Sequence, residues 1–222
     1  MGCGGSNSGK ASEPARPLQD EEGAAPTTHK PLVIVGPSGV GKGTIIKRLI
    51  EARQSQIALS VSYTTRAPRE GEVDGVNYHY ISKEEFDDMV SKNEFIEWCN
   101  VHDKCYGTAK KELTRIRKLK KVPILEIDVQ GARKVHDQKI DSNFVFIDPP
   151  SLELLEERLR GRGTESEEQI LLRTENARKE IEGANEAGIF TTRLLNDDLD
   201  KAVEDMIAIV DDFYKDEFAA EA

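Results

Sequence analysis

The segment LVIVGPSGVGKGT, residues 32–44, constrains the chain more than any other stretch. Leu32, Val33, Ile34 and Val35 form a short, largely β-branched run that suits a strand buried on both faces, as parallel strands are. Gly36, Pro37, Ser38, Gly39, Val40, Gly41, Lys42 and Gly43 follow with the spacing G-x-x-x-x-G-K. In such a loop, glycines let backbone N–H groups converge on a phosphate while the lysine reaches the outer phosphates. Residues 43–53 read as a helix whose positive N-terminal end faces the same anion. One position departs from the strict pattern, because Gly43 follows Lys42 and the nearest hydroxyl is on Thr44. A magnesium ion is therefore expected to rest mainly on nucleotide phosphates and water, with Thr44 reaching it through water.

Further strand patterns fall at 57–62, 123–127, 143–147 and 189–195, separated by helical periodicity. Strands alternating with helices predict an α/β fold, a parallel sheet wound on both sides. At 222 residues the chain suits one compact unit with insertions, and 37% hydrophobic residues suffice for a core. The 31 basic side chains against 41 acidic ones leave a net charge of −10, which argues against sequence-independent nucleic-acid binding. No apolar stretch approaches the roughly 20 residues that span a bilayer, so a soluble, cytoplasmic protein is expected. Cys3, Cys99 and Cys105 match neither a disulfide framework nor a CxxC pair and read as reduced thiols.

Residues 1–30 are rich in Gly, Ser, Ala and Pro and hold one large aliphatic, Leu18, too little to offset the entropy of ordering. They read as a disordered leader. Its first residues, MGCGGS, fit the pattern for myristoylation of Gly2, with Cys3 placed for palmitoylation, against the alternative of a bland flexible tail. Two acyl chains would tether the protein to a membrane, whereas one alone binds reversibly.

Arg66 and Arg69 flank Pro68 on an irregular stretch and together offer two guanidinium forks, the geometry that matches a phosphate monoester. By themselves they are equally compatible with solvated loop arginines. With Thr64, Thr65, Glu72, Gly75, Tyr78 and Tyr80 around them, and GPSGVGKGT before them, the stretch resembles the signature of guanylate kinases. The resemblance runs on through NEFIEW (93–98), YGT (106–108), LEIDVQG (125–131), GRGTESEE (161–168) and NDDLDKA (196–202).

The resemblance implies a magnesium-dependent transfer of the ATP γ-phosphoryl group to GMP, giving ADP and GDP, with no protein partner. It implies a domain at 31–218: a core at 31–61, 109–151 and 189–218, a small β-rich GMP-binding insertion at 62–108, and a helical lid at 152–188. Guanine presents N–H donors beside a carbonyl, so its pocket needs acids and a hydroxyl. In similar kinases the positions of Ser62, Arg66, Arg69, Tyr78, Glu97, Tyr106, Thr108 and Glu126 line the GMP site. Asp128, after the 123–127 strand, is expected near the phosphates or the magnesium shell, where such sheets bind ligands. On the ATP side the resemblance places residues 36–44, Arg158 and Asn196. Lys42, Arg66, Arg69, Arg162 and Arg173 are expected to spread the developing charge.

Several residues keep plainer alternatives: Tyr78 as core packing, Arg158 as a helix arginine paired with Glu157, Glu165 or Glu168, and Asn196 as a turn former. Thr164 with Glu167 offers a capping box after the RGRG stretch. Residues 197–218 read as one acidic amphipathic helix with Leu199, Val203, Met206, Ile207, Val210 and Phe213 turned inward and its acids on a wet face. Two rival functions stand beside the kinase: an inactive scaffold that binds phosphorylated partners, and a kinase for AMP or UMP. Intact Lys42, Arg162 and Arg173 oppose the first, and the Glu97, Thr108 and Glu126 group opposes the second.

Overall fold

The computed structural model describes residues 29–101, 103–161 and 166–220. In chain order its elements begin with β1 (Leu32–Val35), α1 (Lys42–Ala52), β2 (Ile57–Leu59), β3 (Tyr63–Thr64), β4 (His79–Tyr80), α2 (Lys83–Ser91), β5 (Phe95–Val101), β6 (Lys104–Ala109) and α3 (Lys110–Lys118). They continue as β7 (Val122–Glu126), α4 (Val129–Asp137), β8 (Asn143–Asp148), α5 (Leu152–Gly161), α6 (Glu167–Ala187), β9 (Thr192–Leu195), α7 (Leu199–Phe213) and α8 (Lys215–Ala220).

The main sheet has five strands in the order β2-β7-β1-β8-β9, all paired in parallel. Central β1 is buried throughout because its side chains alternate between two cores. Leu32 and Ile34 pack with Ile45, Leu49, Met206 and Val210, while Val33 and Val35 pack with Leu125, Val129 and Phe146. Each such burial contributes about 1.5–3 kcal/mol. The phosphate-loop candidate is thus mounted on the most firmly held strand.

A second sheet, β4-β3-β6-β5, carries α2 on one face and is seated on the main fold through β5, whose Ile96 joins the core beside Val33 and whose Ile96 carbonyl accepts from Gln138 at the end of α4. Phe86 of α2 is fully buried and stacks on Phe95 with ring centroids 4.5 Å apart, beside Tyr63 and Cys105. Ser82 and Glu85 close a capping box at the start of that helix. A Cβ at Gly107 would lie 2.9 Å from the Phe95 ring and 3.0 Å from Trp98. Gly107→Ala is therefore expected to cost about 1–3 kcal/mol, read as a lower urea midpoint at unchanged slope.

Several expectations are corrected. The 57–62 strand is shorter than expected: main-sheet pairing ends at Leu59 opposite Ile124, residues 60–62 belong to no strand, and the second sheet takes over at Tyr63, which pairs with Gly107. Alternation within the run cannot say which partner strand it meets. The C-terminal helix is interrupted at Tyr214, whose fully buried ring directs its hydroxyl to the Lys30 carbonyl, 2.9 Å away. Leu199, at the first turn of α7, is 37% exposed rather than inward. The acids of α7 are not merely wet, since Asp200 and Asp211 accept from Arg48 and Arg53 of α1. His29 is buried and Lys30 pairs with Asp141, so the last two residues assigned to the leader pack on the domain. Residues 1–28, with Gly2 and Cys3, lie outside the described residues. No helix among the described residues is long and apolar enough to cross a membrane. Helix α6 is capped by Ser166 and Gln169, because the Ser166 hydroxyl accepts the Gln169 N–H and Glu167 already lies within the helix.

Candidate functional site

The loop between β1 and α1 turns on two left-handed glycines, Gly39 (φ 91°) and Gly41 (φ 98°). Both positions are also crowded: a Cβ at Gly39 would meet Leu159 at 2.9 Å and one at Gly41 would meet the Asn196 Nδ2 at 2.8 Å. Glycine is required there on both counts. Asn196 is 3% exposed and donates its Nδ2 to the Val40 carbonyl, 2.6 Å away. Arg158 donates to the carbonyls of Asn196 and Asp197 at 3.0 and 3.1 Å. Of these two residues, both expected to touch the donor nucleotide, Asn196 braces the loop through Nδ2 while its buried Oδ1 has no partner among the described residues, and Arg158 braces the turn at Asn196 and Asp197. Neither the turn-former alternative nor the carboxylate pairing anticipates this.

Lys42 opens α1 and donates its Nζ to the Gly36 carbonyl. Burial pushes its pKa below the usual lysine range, while Glu126, Glu180 and Asp128 pull it back up. Gly36, Ser38 and Lys42 line one end of a cavity of about 320 Å³, a size typical of small-molecule sites. Of the residues expected around the acceptor, Ser62, Tyr78, Glu97, Tyr106, Glu126 and Asp128 line the same cavity. Asp128 serves as the N-cap of α4, accepting the Gly131 N–H at 2.7 Å. Pro37, Val40, Gly43 and Thr44 stand in the loop and the first turn of α1 without reaching the cavity lining, and Thr44 is exposed.

Glu97 is 4% exposed on β5. Its Oε1 accepts both the backbone N–H of Thr108 (2.9 Å) and its hydroxyl (2.7 Å). Thr108 is fully buried behind Glu97, so it does not line the cavity as expected. Burial is the main reason the Glu97 carboxyl is raised to about 7, with the Thr108 bonds opposing it. Gly131 leaves room at the other oxygen, since a Cβ there would stand 2.8 Å from the Glu97 Oε2. A second cavity of about 300 Å³ on the α2 side of β5 shares only Glu97 with the residues expected at the site.

Arg66 forms a fork with Glu72 through bonds of 2.6 and 2.7 Å and lies over the rings of Tyr78 and Tyr80. Glu72 also accepts the Arg69 N–H at 2.8 Å and the Tyr80 hydroxyl at 2.7 Å. The Arg66 guanidinium is the largest influence holding the Glu72 carboxyl down at about 2, so Glu72 stays ionised across any assay pH. The Arg69 side chain is on an exposed loop and neither it nor Arg66 reaches the cavity lining. Arg173 is half-buried on α6 and also stands outside that lining. Arg162 and Thr164 lie outside the described residues.

Four lining residues escaped the sequence analysis: Cys99, Gly107, Ile127 and Glu180. Cys99 follows the NEFIEW stretch, and burial first, then Asp128, keeps its thiol well above the ordinary pKa. Glu180 could have been found: Ile170, Ala177 and Ala184 mark the buried stripe of α6, and Glu180 falls between the last two at helical spacing. An acid on such a stripe needs a reason to be there.

The guanylate kinase family model matches residues 28–213. The chain is 47% identical over 180 residues to guanylate kinase of Schizosaccharomyces pombe, covering 81% of this chain and 89% of that one. It is 46% identical over 179 residues to guanylate kinase of Caldanaerobacter subterraneus, covering 81% and 85%. The crystal structure of guanylate kinase from Anaplasma phagocytophilum superposes with a TM-score of 0.65 at 30% identity, covering 82% of this chain and 84% of that one.

Proposed function

Because the chain belongs to the guanylate kinase family, it is an ATP:GMP phosphotransferase, and we propose that GMP occupies the cavity between the two sheets while the loop after β1 holds ATP. The observation that carries this arrangement is the single cavity bounded by Gly36, Ser38 and Lys42 at one end and by Ser62, Tyr78, Glu97 and Tyr106 at the other. Two phosphate-bearing ligands held from those ends meet in line, and positioning then supplies much of the rate.

In this assignment the Glu97 carboxylate accepts the guanine N–H donors through Oε2, and Thr108 acts as a positioning residue by fixing Oε1. Ser62, Tyr78 and Tyr106 direct hydroxyls at the acceptor, and Glu126 offers a second acid toward the base. Arg66 and Arg69 take the GMP phosphate on closure, with Glu72 setting the Arg66 fork beforehand. The GMP phosphate oxygen attacks the γ-phosphorus directly, so no side chain forms a covalent intermediate. Lys42 and the loop amides stabilise the charge that develops on the transferred group, joined by Arg162 and Arg173 when a lid at 152–188 closes over an insertion at 62–108.

Among the described residues no group of three His, Cys, Asp or Glu side chains is placed to hold a metal ion. Asp128 in the cavity and Thr44 on α1 fit an outer-shell role, consistent with magnesium carried in on the nucleotide. When bound, magnesium neutralises phosphate charge.

Glu72→Gln is expected to raise KM for GMP about tenfold while kcat changes less, because three donors lose their ionised acceptor. Steady-state kinetics against GMP separates the two constants. The function itself is tested by coupling ADP release to GMP, dGMP and AMP in turn. Fast release with GMP and slow release with AMP supports the assignment, and equal rates would overturn the guanine pocket. The protein is further proposed to be cytoplasmic, with acylation at Gly2 and Cys3 bringing it to a membrane. Intact mass of the protein from its own cells checks this, and an unmodified mass would discard the tether.

A further inference from the structure

The mechanism above gives Glu180 no task, although its carboxylate reaches the cavity. Its Oε2 accepts the backbone N–H of Ser38 at 3.2 Å, across 142 residues of sequence. Ser38 belongs to the loop whose N–H groups are its means of gripping phosphate. The same carboxylate faces Lys42, the one lysine among the described residues that line the cavity, and lies near Asp128. A carboxylate oxygen and a phosphate oxygen compete for the same donors, and both carry negative charge.

We propose that Glu180 is a built-in counterion of the phosphate loop: without nucleotide it holds the Ser38 amide and faces the Lys42 charge, and the donor's phosphates displace it. The proposal rests on the assignment of ATP to this loop and adds a consequence to it. Glu180 sits on α6, the same helix that carries Arg173, so donor binding breaks the hydrogen bond between that helix and the loop. Part of the intrinsic affinity for ATP is spent on this displacement, and the lid-side helix gains freedom to move only when the donor has arrived. Half-burial suits such a role, because the carboxylate has solvent to move into once displaced.

The test uses the full chain and calorimetric titration with ADP and with adenosine, both without magnesium. Glu180→Gln keeps the shape and an acceptor for Ser38 but removes the charge. The variant is expected to bind ADP about tenfold more tightly than the parent while adenosine affinity stays the same. Glu180→Asp, shorter by one methylene, is expected to shift ADP affinity the same way by a smaller factor and serves if the first variant folds poorly. In amide NMR spectra the Ser38 resonance should differ between parent and Glu180→Gln without nucleotide and coincide at saturating ADP. Unchanged or weaker ADP binding, an equal change for adenosine, or a Ser38 difference that survives saturation would overturn the proposal. If the parent binds no ADP, the assignment of the loop fails and this inference goes with it.

Discussion

Lys42→Met is expected to lower kcat by about three orders of magnitude and to leave the GMP dissociation constant within about twofold of the parent value. The side chain is half-buried at the loop end of the cavity, with its ammonium on the Gly36 carbonyl. Methionine fills nearly the same volume, so the fold loses little, but the charge that meets the transferred phosphoryl group is gone. Burial makes that charge count for more than it would in water, because the field is poorly screened there. In the proposed arrangement the acceptor is held by residues of the other sheet and of β7, which would insulate its affinity from the change. Single-turnover rates with saturating GMP, beside GMP titration of the variant, check both halves. Ordinary turnover in the variant would remove Lys42 from the chemistry.

Glu97→Gln is expected to reduce kcat/KM for GMP by about a thousandfold and for AMP by less than tenfold, so that most of the preference for guanine disappears. An amide in place of the carboxylate presents a donor where guanine also presents donors. The pH dependence gives a second signature. The Glu97 carboxyl titrates near 7 in the folded chain against an ordinary value of 4.5. The folded state therefore holds an extra proton between those values, and Glu97's contribution to stability is fully present below about 4.5 and declines as pH rises through about 7. Guanine recognition needs the ionised form, so GMP affinity rises through the same window and levels off above it. In the variant both dependences flatten. Comparing GMP with unphosphorylated guanosine separates this titration from that of the GMP phosphate.

How far the sequence reveals this protein depends on the range of the interaction. The loop from Gly36 to Gly43 was legible because a local conformation dictates its glycines, two of which take left-handed geometry. Strand β1 was legible for a related reason: with a core on each face, every one of its residues is apolar. The end of β2 at Leu59 and the start of a second sheet at Tyr63 were not, since β-propensity carries no address for the partner strand. The same holds for Arg158 and Asn196, whose partners lie in backbone carbonyls that no side-chain pattern announces. The pairing of α1 arginines with α7 acids joins residues about 150 positions apart, as in Arg48 with Asp200 at 152. Most residues near the acceptor were found through resemblance, but Arg66 and Arg69 as paired forks, Asp128 by its place after a strand and Glu97 as an acid set among Phe95, Ile96 and Trp98 also carried a physical signal.

The chain leaves the main sheet after Leu59 and returns to it through α3, which begins directly after Ala109. At that junction Glu112 of α3 accepts the Val61 N–H at 3.2 Å, so departure and return are fastened side by side. A segment that departs and returns at one place is expected to act as a cartridge, exchangeable without rethreading the frame as long as its seat at the end of α4, where Gln138 donates to the Ile96 carbonyl, is kept. In the proposed arrangement most acceptor contacts travel with the cartridge while Glu126 stays on the frame, so a chimera carrying a foreign segment between residues 60 and 111 is expected to keep its donor site while shifting what it phosphorylates.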